Sequence, residues 1–278
     1  MGPIEDDIIH SYTYEFDESK RLSTDIGPLE FARTKELLQR FLPAVPAVVL
    51  DVGGAVGPYS FWLASLGYRV HLLDIVPAHI AKARLAQARP ECGKLEGIHL
   101  GDARHLPFED GVADAVMIHG PLYHLPDRAD RLGCLREGKR VLKPSCRLLA
   151  FGITRYAGLL YTISKGTIFD AETRNMIGTE VQTGRRLRSP TDRTCFKSAY
   201  FHHPKEMEAE VGEAGFEVEG TYGVLGPAWQ VPELEESWND PEKREVLLGL
   251  ARLTEGEPVL GPRFMTVGVN RSMLKGLG

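Results

Sequence analysis

VVLDVGGAVG, residues Val48 to Gly57, turns an apolar run abruptly into a glycine-rich loop. Val48, Val49 and Leu50 favour a buried strand. Asp51 stands at the strand's carboxyl end, and Gly53, Gly54 and Gly57 permit a tight turn and close backbone approach. Pro58 suits the first turn of a helix, for which Trp62, Leu63 and Leu66 supply the expected apolar face and Gly67 the stop. YRVHLLD then gives a second strand ending on Asp74. The stretch reads as a β-α-β unit whose first strand ends at a ligand.

A dinucleotide fingerprint needs Gly-x-Gly-x-x-Gly, which this loop lacks. Asp51-x-Gly53-x-Ala55-x-Gly57 stands instead. That pattern resembles the S-adenosylmethionine loop of class I methyltransferases, where glycine usually occupies the place of Ala55. Asp74, with Ile75 after it, lies at the carboxyl end of the second strand, where open α/β sheets bind ligands. A carboxylate there accepts both ribose hydroxyls, and the same geometry would serve NAD.

The chain has 278 residues, 43% hydrophobic and 26% charged, enough to bury a sizeable core as one large domain with insertions. A net charge of -5 gives no general attraction to nucleic acid or an anionic membrane. Cys92, Cys134, Cys146 and Cys195 are scattered without CxxC spacing, which argues against zinc or a disulfide framework and for a reducing cytoplasm. The first residues are acidic where a leader would be basic and then apolar, and no apolar run approaches membrane-spanning length. Neither a leader nor a membrane span is expected.

Upstream of the first strand, Leu29, Phe31, Leu37, Leu38 and Phe41 place a helix that stops near Pro43, with Tyr12, Tyr14, Glu15 and Arg21 in the more polar part before it. The methyltransferase resemblance implies that residues 1–46 form a helical lid over the cofactor. Tyr14 or Arg21 would then meet the methionine carboxylate, Arg21 through a charge-assisted pair; the alternative is a solvated packing helix. After Pro77, HIAKARLAQAR reads as a helix with Ile80 and Leu85 facing inward.

GIHLGDARHLPFEDGVADAVMIHG places two further strands around a loop. The resemblance implies that Asp102 accepts from the adenine amino group, that the Ala103 N–H meets a ring nitrogen, and that Leu106, Pro107 and Phe108 wall the base. Asp114 is expected to start the fourth strand. That strand delivers His119, Gly120, Pro121, Leu122, Tyr123 and His124 to the same sheet edge. Methyl transfer needs alignment and desolvation of the acceptor, and removal of a proton from a hydroxyl or ammonium. His124 is the first candidate base because imidazole titrates near neutral pH. His119 is the second and also a candidate cofactor contact, and Tyr123 shapes the pocket. A histidine here equally suits holding a backbone carbonyl or the cofactor.

A helix before Pro144 and a fifth strand from Arg147 follow, with Ser145 and Cys146 where the family commonly has a glycine pair. The resemblance covers residues 47–154, the S-adenosylmethionine-binding core, and is nearest to the branch with ubiquinone and menaquinone biosynthesis enzymes. Residues 155–197 are too long for a simple connection. Tyr156, Leu159, Leu160, Ile163 and Ile168 give them an apolar face, and the resemblance implies a cap over the acceptor, with Tyr156 a substrate candidate. Arg185, Arg186, Arg188, Arg193 and Lys197 form a basic cluster that suits a solvated loop, or recognition of phosphate, carboxylate or RNA.

Residues 198–278 return to the family pattern. A helix through Met207 and Val211 leads by Gly215-Phe216 into a sixth strand, and FMTVGVN supplies the last, antiparallel strand of a seven-stranded, Rossmann-like doubly wound sheet. His202 is a second substrate candidate, and Trp229 and Trp238 read as packing residues. No clustered acid and histidine set suggests a metal. The expected function is methyl transfer from S-adenosyl-L-methionine to an O, N or C nucleophile of a small organic molecule, a secondary metabolite. An RNA or nucleotide methyltransferase and a cofactor-binding protein without methylating activity remain open; no aromatic platform or Asn-Pro-Pro-aromatic run supports nucleic acid.

Overall fold

The computed structural model describes residues 3–89, 92–187 and 198–271. Helix α1 (Pro3–His10) runs into a wide π-turn at Ser11–Glu15, a 3-10 turn at Glu18–Lys20, and then α2 (Gly27–Phe41). β1 (Val48–Val52), α3 (Pro58–Ser65) and β2 (Arg69–Asp74) form the anticipated β-α-β unit. α4 (Pro77–Gln87), β3 (Gly97–Leu100), β4 (Ala113–Ile118), α5 (Pro121–His124), α6 (Arg128–Val141) and β5 (Leu142–Ile153) follow. Next come α7 (Ala157–Ser164), α8 (Ala171–Thr183) and an antiparallel ribbon of β6 (Arg185–Leu187) with β7 (Ser198–Tyr200). The chain ends with α9 (Pro204–Glu213), β8 (Glu217–Gly223), α10 (Leu234–Asn239), α11 (Pro241–Leu253) and β9 (Arg263–Val269).

Seven strands make one sheet in the order β3-β2-β1-β4-β5-β9-β8. The first five run parallel, and β9 is antiparallel to both β5 and β8. This is the doubly wound α/β sheet with an antiparallel last strand that the sequence leads one to expect. β1 shows why its run is uninterrupted. Val49 packs into one core cluster with Leu63 and Leu72, whereas Leu50 and Val52 pack into the other with Leu73 and Ile118. The pleat alternates these side chains between two covered faces, so every position but Asp51, at the carboxyl end, is apolar. Asp114 locks the edge of this array, accepting the Val48 N–H at 2.8 Å and Lys143 Nζ at 2.6 Å.

Several local expectations need correction. Leu85 is 70% exposed; it lies five residues beyond Ile80, on the far side of a 3.6-residue helix, and Ala83 takes the inward place. In α3 the buried face is Tyr59, Ser60 and Leu63, while Leu66 is exposed, because Ser60 reaches down to Asp51. Ile163 of α7 points to solvent, and Thr162 is the buried residue of that helix. α6 passes directly into β5 at Leu142, ahead of the expected start at Arg147, with a register slip and with Ser145 at φ 64°, in the left-handed region that a glycine adopts at less cost.

Candidate functional site

The loop after β1 is built by close approach. Gly53 turns at φ 77° and donates its N–H to the Leu73 carbonyl at 2.7 Å. A Cβ at Gly53 would stand 2.3 Å from Pro121 Cδ, and one at Gly54 would stand 2.5 Å from Asp51 Oδ2. Only glycine lets the loop lie flat between the end of β2 and the start of α5. Ala55 follows at φ 52°, and its N–H donates to Asp74 Oδ2 at 2.9 Å. Asp74 Oδ1 accepts the Val76 N–H at 2.9 Å and lies 3.2 Å from His79 Nδ1. Each carboxylate oxygen has two lone pairs, so Asp74 anchors the loop and keeps acceptor capacity for a ligand.

Above this loop lies a cavity of about 720 Å³, walled by the ends of β1 to β4 and by the N-terminal segment. Of the residues expected from sequence, Gly53, Gly54, Asp74, Ile75, Asp102, Ala103, His119, Tyr123, His124 and Arg21 all line it. Asp102 does so while gripped by Arg104, whose Nε and Nη2 donate to it at 3.0 and 2.6 Å. Arg104 in turn reaches Asp130 at 3.1 Å and pairs with Glu5 of α1.

Other expected residues stand elsewhere. Asp51 is fully buried beneath the loop, with one oxygen accepting from Ser60 at 2.6 Å and the other unpartnered, and burial pushes its carboxyl up to about 6. It braces Gly54 from behind and is not a wall of the cavity. Gly57 likewise serves the turn into α3, at φ 88°. Tyr14 is 77% exposed; Tyr12, two residues earlier on the π-turn, takes the inward place. Leu106 is in the core and Phe108 packs on His71 and His99, so neither walls the cavity, nor does Pro107. Tyr156 packs edge-on against His203, and His202 is fully buried with Nε2 3.3 Å from Glu210; both lie off the cavity. The 155–197 segment reaches the wall through Tyr161 instead. Of the basic cluster, Arg185 lies 3.6 Å from Asp127 and Arg186 2.9 Å from Glu180, while Arg188, Arg193 and Lys197 fall outside the described residues, as does Cys195.

The two histidines sit in different company. His119 is stacked between Tyr59, at 4.9 Å, and Phe151, at 4.1 Å. Burial, reinforced by the Arg21 charge, pushes it down to about 3. His124 Nε2 hydrogen-bonds the Tyr12 hydroxyl at 3.0 Å, and burial pushes this imidazole down to about 4. Both are uncharged at neutral pH.

Among the wall residues that the sequence does not single out for the site are Tyr12, His79, Glu30 and Arg263. Tyr12 packs edge-on against both His79 and His124, spanning the cavity between them. Glu30 is 1% exposed and receives Arg21 at 2.7 Å and Arg263 at 2.9 Å. Burial alone would raise its carboxyl, but the two guanidiniums hold it at about 2. An acid inside the buried stripe of α2 is a signal available in sequence for Glu30; no local signal marks Arg263. Among the described residues no group of three or more His, Cys, Asp or Glu side chains is arranged to hold a metal, and no helix is long and apolar enough to cross a membrane.

Residues 50–150 match the model of a methyltransferase domain family. The chain is 32% identical over 159 residues to methyltransferase GfsG of Streptomyces halstedii, covering 54% of this chain and 51% of that one. It is 30% identical over 135 residues to an uncharacterized methyltransferase of Mycobacterium tuberculosis, covering 48% of this chain and 51% of that one. It thus spans about half the length of these curated relatives. Its fold is similar to that of the magnesium protoporphyrin IX methyltransferase of Synechocystis solved with bound SAH, at a TM-score of 0.58 and 16% identity, over 97% of this chain and 100% of that one.

Proposed function

We propose that this chain, which carries a class I S-adenosylmethionine-dependent methyltransferase domain with S-adenosyl-L-methionine as its cofactor, methylates an oxygen, nitrogen or carbon nucleophile of a small organic molecule, as an enzyme of secondary metabolism in the cytoplasm. The observation that carries this reading is the convergence of the Gly53–Gly54 loop, Asp74, Asp102 and the His119–His124 segment on one cavity. Its volume of about 720 Å³ falls in the range of ligand pockets. A lid-covered cavity of that size suits a small acceptor better than a polymer, and Arg185 and Arg186 of the basic cluster are engaged with acids of the protein itself.

The residues present fit the cofactor. Asp74 has lone pairs for the ribose hydroxyls, Asp102 and Ala103 stand where adenine would lie, and Arg21 offers a guanidinium to the methionine carboxylate. Bound there, the cofactor supplies a methyl group already activated on a sulfonium. The chain's own part is to place the acceptor beside it, with His119 presenting an uncharged ring between Tyr59 and Phe151 and Tyr12 shielding the site from water. His124 is uncharged at neutral pH with its Nε2 on the Tyr12 hydroxyl, but burial that holds it at about 4 makes it a weak base, which suits an acceptor whose hydroxyl is already acidic. Incubation with methyl-labelled cofactor and separate small-molecule, protein and RNA fractions tests the reading. Label in the small-molecule fraction is expected; label entering only RNA, or cofactor binding without transfer to any fraction, would overturn it.

A further inference from the structure

Beyond β4 the cavity holds a charge arrangement that the cofactor does not need. The glycine loop, Asp74 and Asp102 follow β1, β2 and β3, whereas β5 and β9 lie on the other side of β4. Arg263 opens β9, paired with Ile153 at the end of β5. Its side chain, 17% exposed, forms part of the cavity wall on this far side. Nε lies 2.9 Å from Glu30 Oε2, and the guanidinium donates to the Tyr123 hydroxyl oxygen. Arg21 has two acids, Glu18 and Glu30; among the described residues Arg263 has Glu30 alone, and it shares that carboxylate with Arg21. A guanidinium carries five N–H donors in a fixed fork, so engagement through Nε leaves donors for an anion in the cavity.

Resting on the methyltransferase reading above, we propose that Arg263 holds the acceptor's nucleophilic oxygen as an oxyanion, so that the acceptor is an acidic hydroxyl compound, a phenol, enol or carboxylic acid. The oxyanion's lone pair forms the new oxygen–carbon bond while the carbon–sulfur pair leaves with sulfur. The negative charge of one partner and the positive charge of the other cancel, and the step releases no proton. This fits the neighbouring imidazoles. His119 at about 3 and His124 at about 4 are poor bases for an unactivated alcohol, and an acceptor ionised beside Arg263 needs neither.

para-Nitrophenol is a suitable probe, because its phenolate is coloured and its neutral counterpart para-nitroanisole is not ionisable. Both are titrated into the full chain with S-adenosylhomocysteine present. The wild type is expected to prefer the phenolate and to lower the bound probe's pKa. Arg263→Met should weaken phenolate binding by roughly 10- to 100-fold, the scale of a charged hydrogen bond, and leave nitroanisole unaffected. Arg263→Lys should retain part of the preference. Glu30→Gln removes the competing carboxylate and should tighten phenolate binding, a sign that simple destabilisation does not produce. Equal affinity for the two probes, no binding of para-nitrophenol, or an unchanged phenolate affinity in Arg263→Met would overturn the assignment. Failure of the wild type to bind S-adenosylhomocysteine by calorimetry would instead remove the reading on which it rests.

Discussion

The carboxylate of Asp74 accepts the N–H groups of Ala55 and Val76 before any ligand is considered, so its removal loosens the glycine loop and deletes the proposed ribose acceptors together. Asp74→Ala is therefore expected to weaken S-adenosylhomocysteine binding by roughly 1.5–3 kcal/mol in calorimetry. Asp74→Asn, which keeps one acceptor oxygen, should fall between. Unchanged affinity in Asp74→Ala would refute the role. Ala55 poses the opposite question. At φ 52° it sits in the left-handed region, which costs an L-residue about 1–2 kcal/mol. Ala55→Gly relieves that but adds about 0.4–1 kcal/mol of unfolded-state entropy, so stability should change by less than about 1 kcal/mol in urea unfolding; a large loss would mean the methyl group packs against something the loop needs. Asp74, Gly53 and Asp102 are legible in sequence because each stands at or just past the carboxyl end of a strand, and these ends of a parallel sheet share one edge. Tyr14 against Tyr12 is decided by the phase of a π-turn, which composition does not reveal. Arg263 meets Glu30 only after the whole chain has folded between them.

α2 is part of the core, through Leu29, Leu37, Leu38 and Phe41, whereas the residues before it are tied down by polar and aromatic contacts that differ in worth. Asp17–Lys82 is an exposed pair that contributes little. Glu5–Arg104 and Arg21–Glu30 are more enclosed, and Tyr12 inserts its ring between His79 and His124. If this element is the cover of the cofactor cavity, its grip sets how fast a ligand escapes. Tyr12→Phe keeps the packing and loses one hydrogen bond, about 0.5–1.5 kcal/mol, and should speed S-adenosylhomocysteine release in stopped-flow fluorescence by roughly 2- to 10-fold. Tyr12→Ala, which also forfeits the ring, should speed it further. Equal release from all three proteins would show that the segment does not gate the site. α2 is readable from its apolar spacing, as are Ile80 and the buried strands. The elements after β5 are harder, because α7 buries only Thr162 and α8 only Ile177 and Glu180, and periodicity does not say which side of a half-covered helix faces the cavity. Tyr161 rather than the expected Tyr156 reaches the cavity wall for that reason, and Ile163 lies open.

At the scale of the whole molecule, strand order and direction are legible because parallel β-α-β connections and one closing antiparallel strand leave few alternatives. The balance of buried charges is not legible, because it depends on which distant groups burial brings together, and it sets the response to acid. His119 and His124 are buried uncharged and pushed from 6.5 to about 3 and about 4. The unfolded chain takes up protons below 6.5 that the folded chain refuses, so their contribution is complete above that value and falls as pH drops through the window down to about 4. Burial also pushes His202 down, in the same direction. Asp51 works the other way. Its folded value is raised from 3.8 to about 6, so protonation in that interval favours the folded chain and offsets part of the loss. Glu30 and Glu210, held at about 2, add a further loss that begins only as pH falls below about 4.5. The histidines outnumber the single opposing acid, so stability should decline by roughly 2–5 kcal/mol between neutral pH and about pH 4, read from urea midpoints at fixed ionic strength. His124→Gln, which removes one of the ionisable rings, should flatten that decline while Asp51→Asn steepens it. A midpoint constant across the interval would mean that both imidazoles are protonated or solvated in the folded protein, and with them would go the picture of uncharged rings beside the reacting atoms.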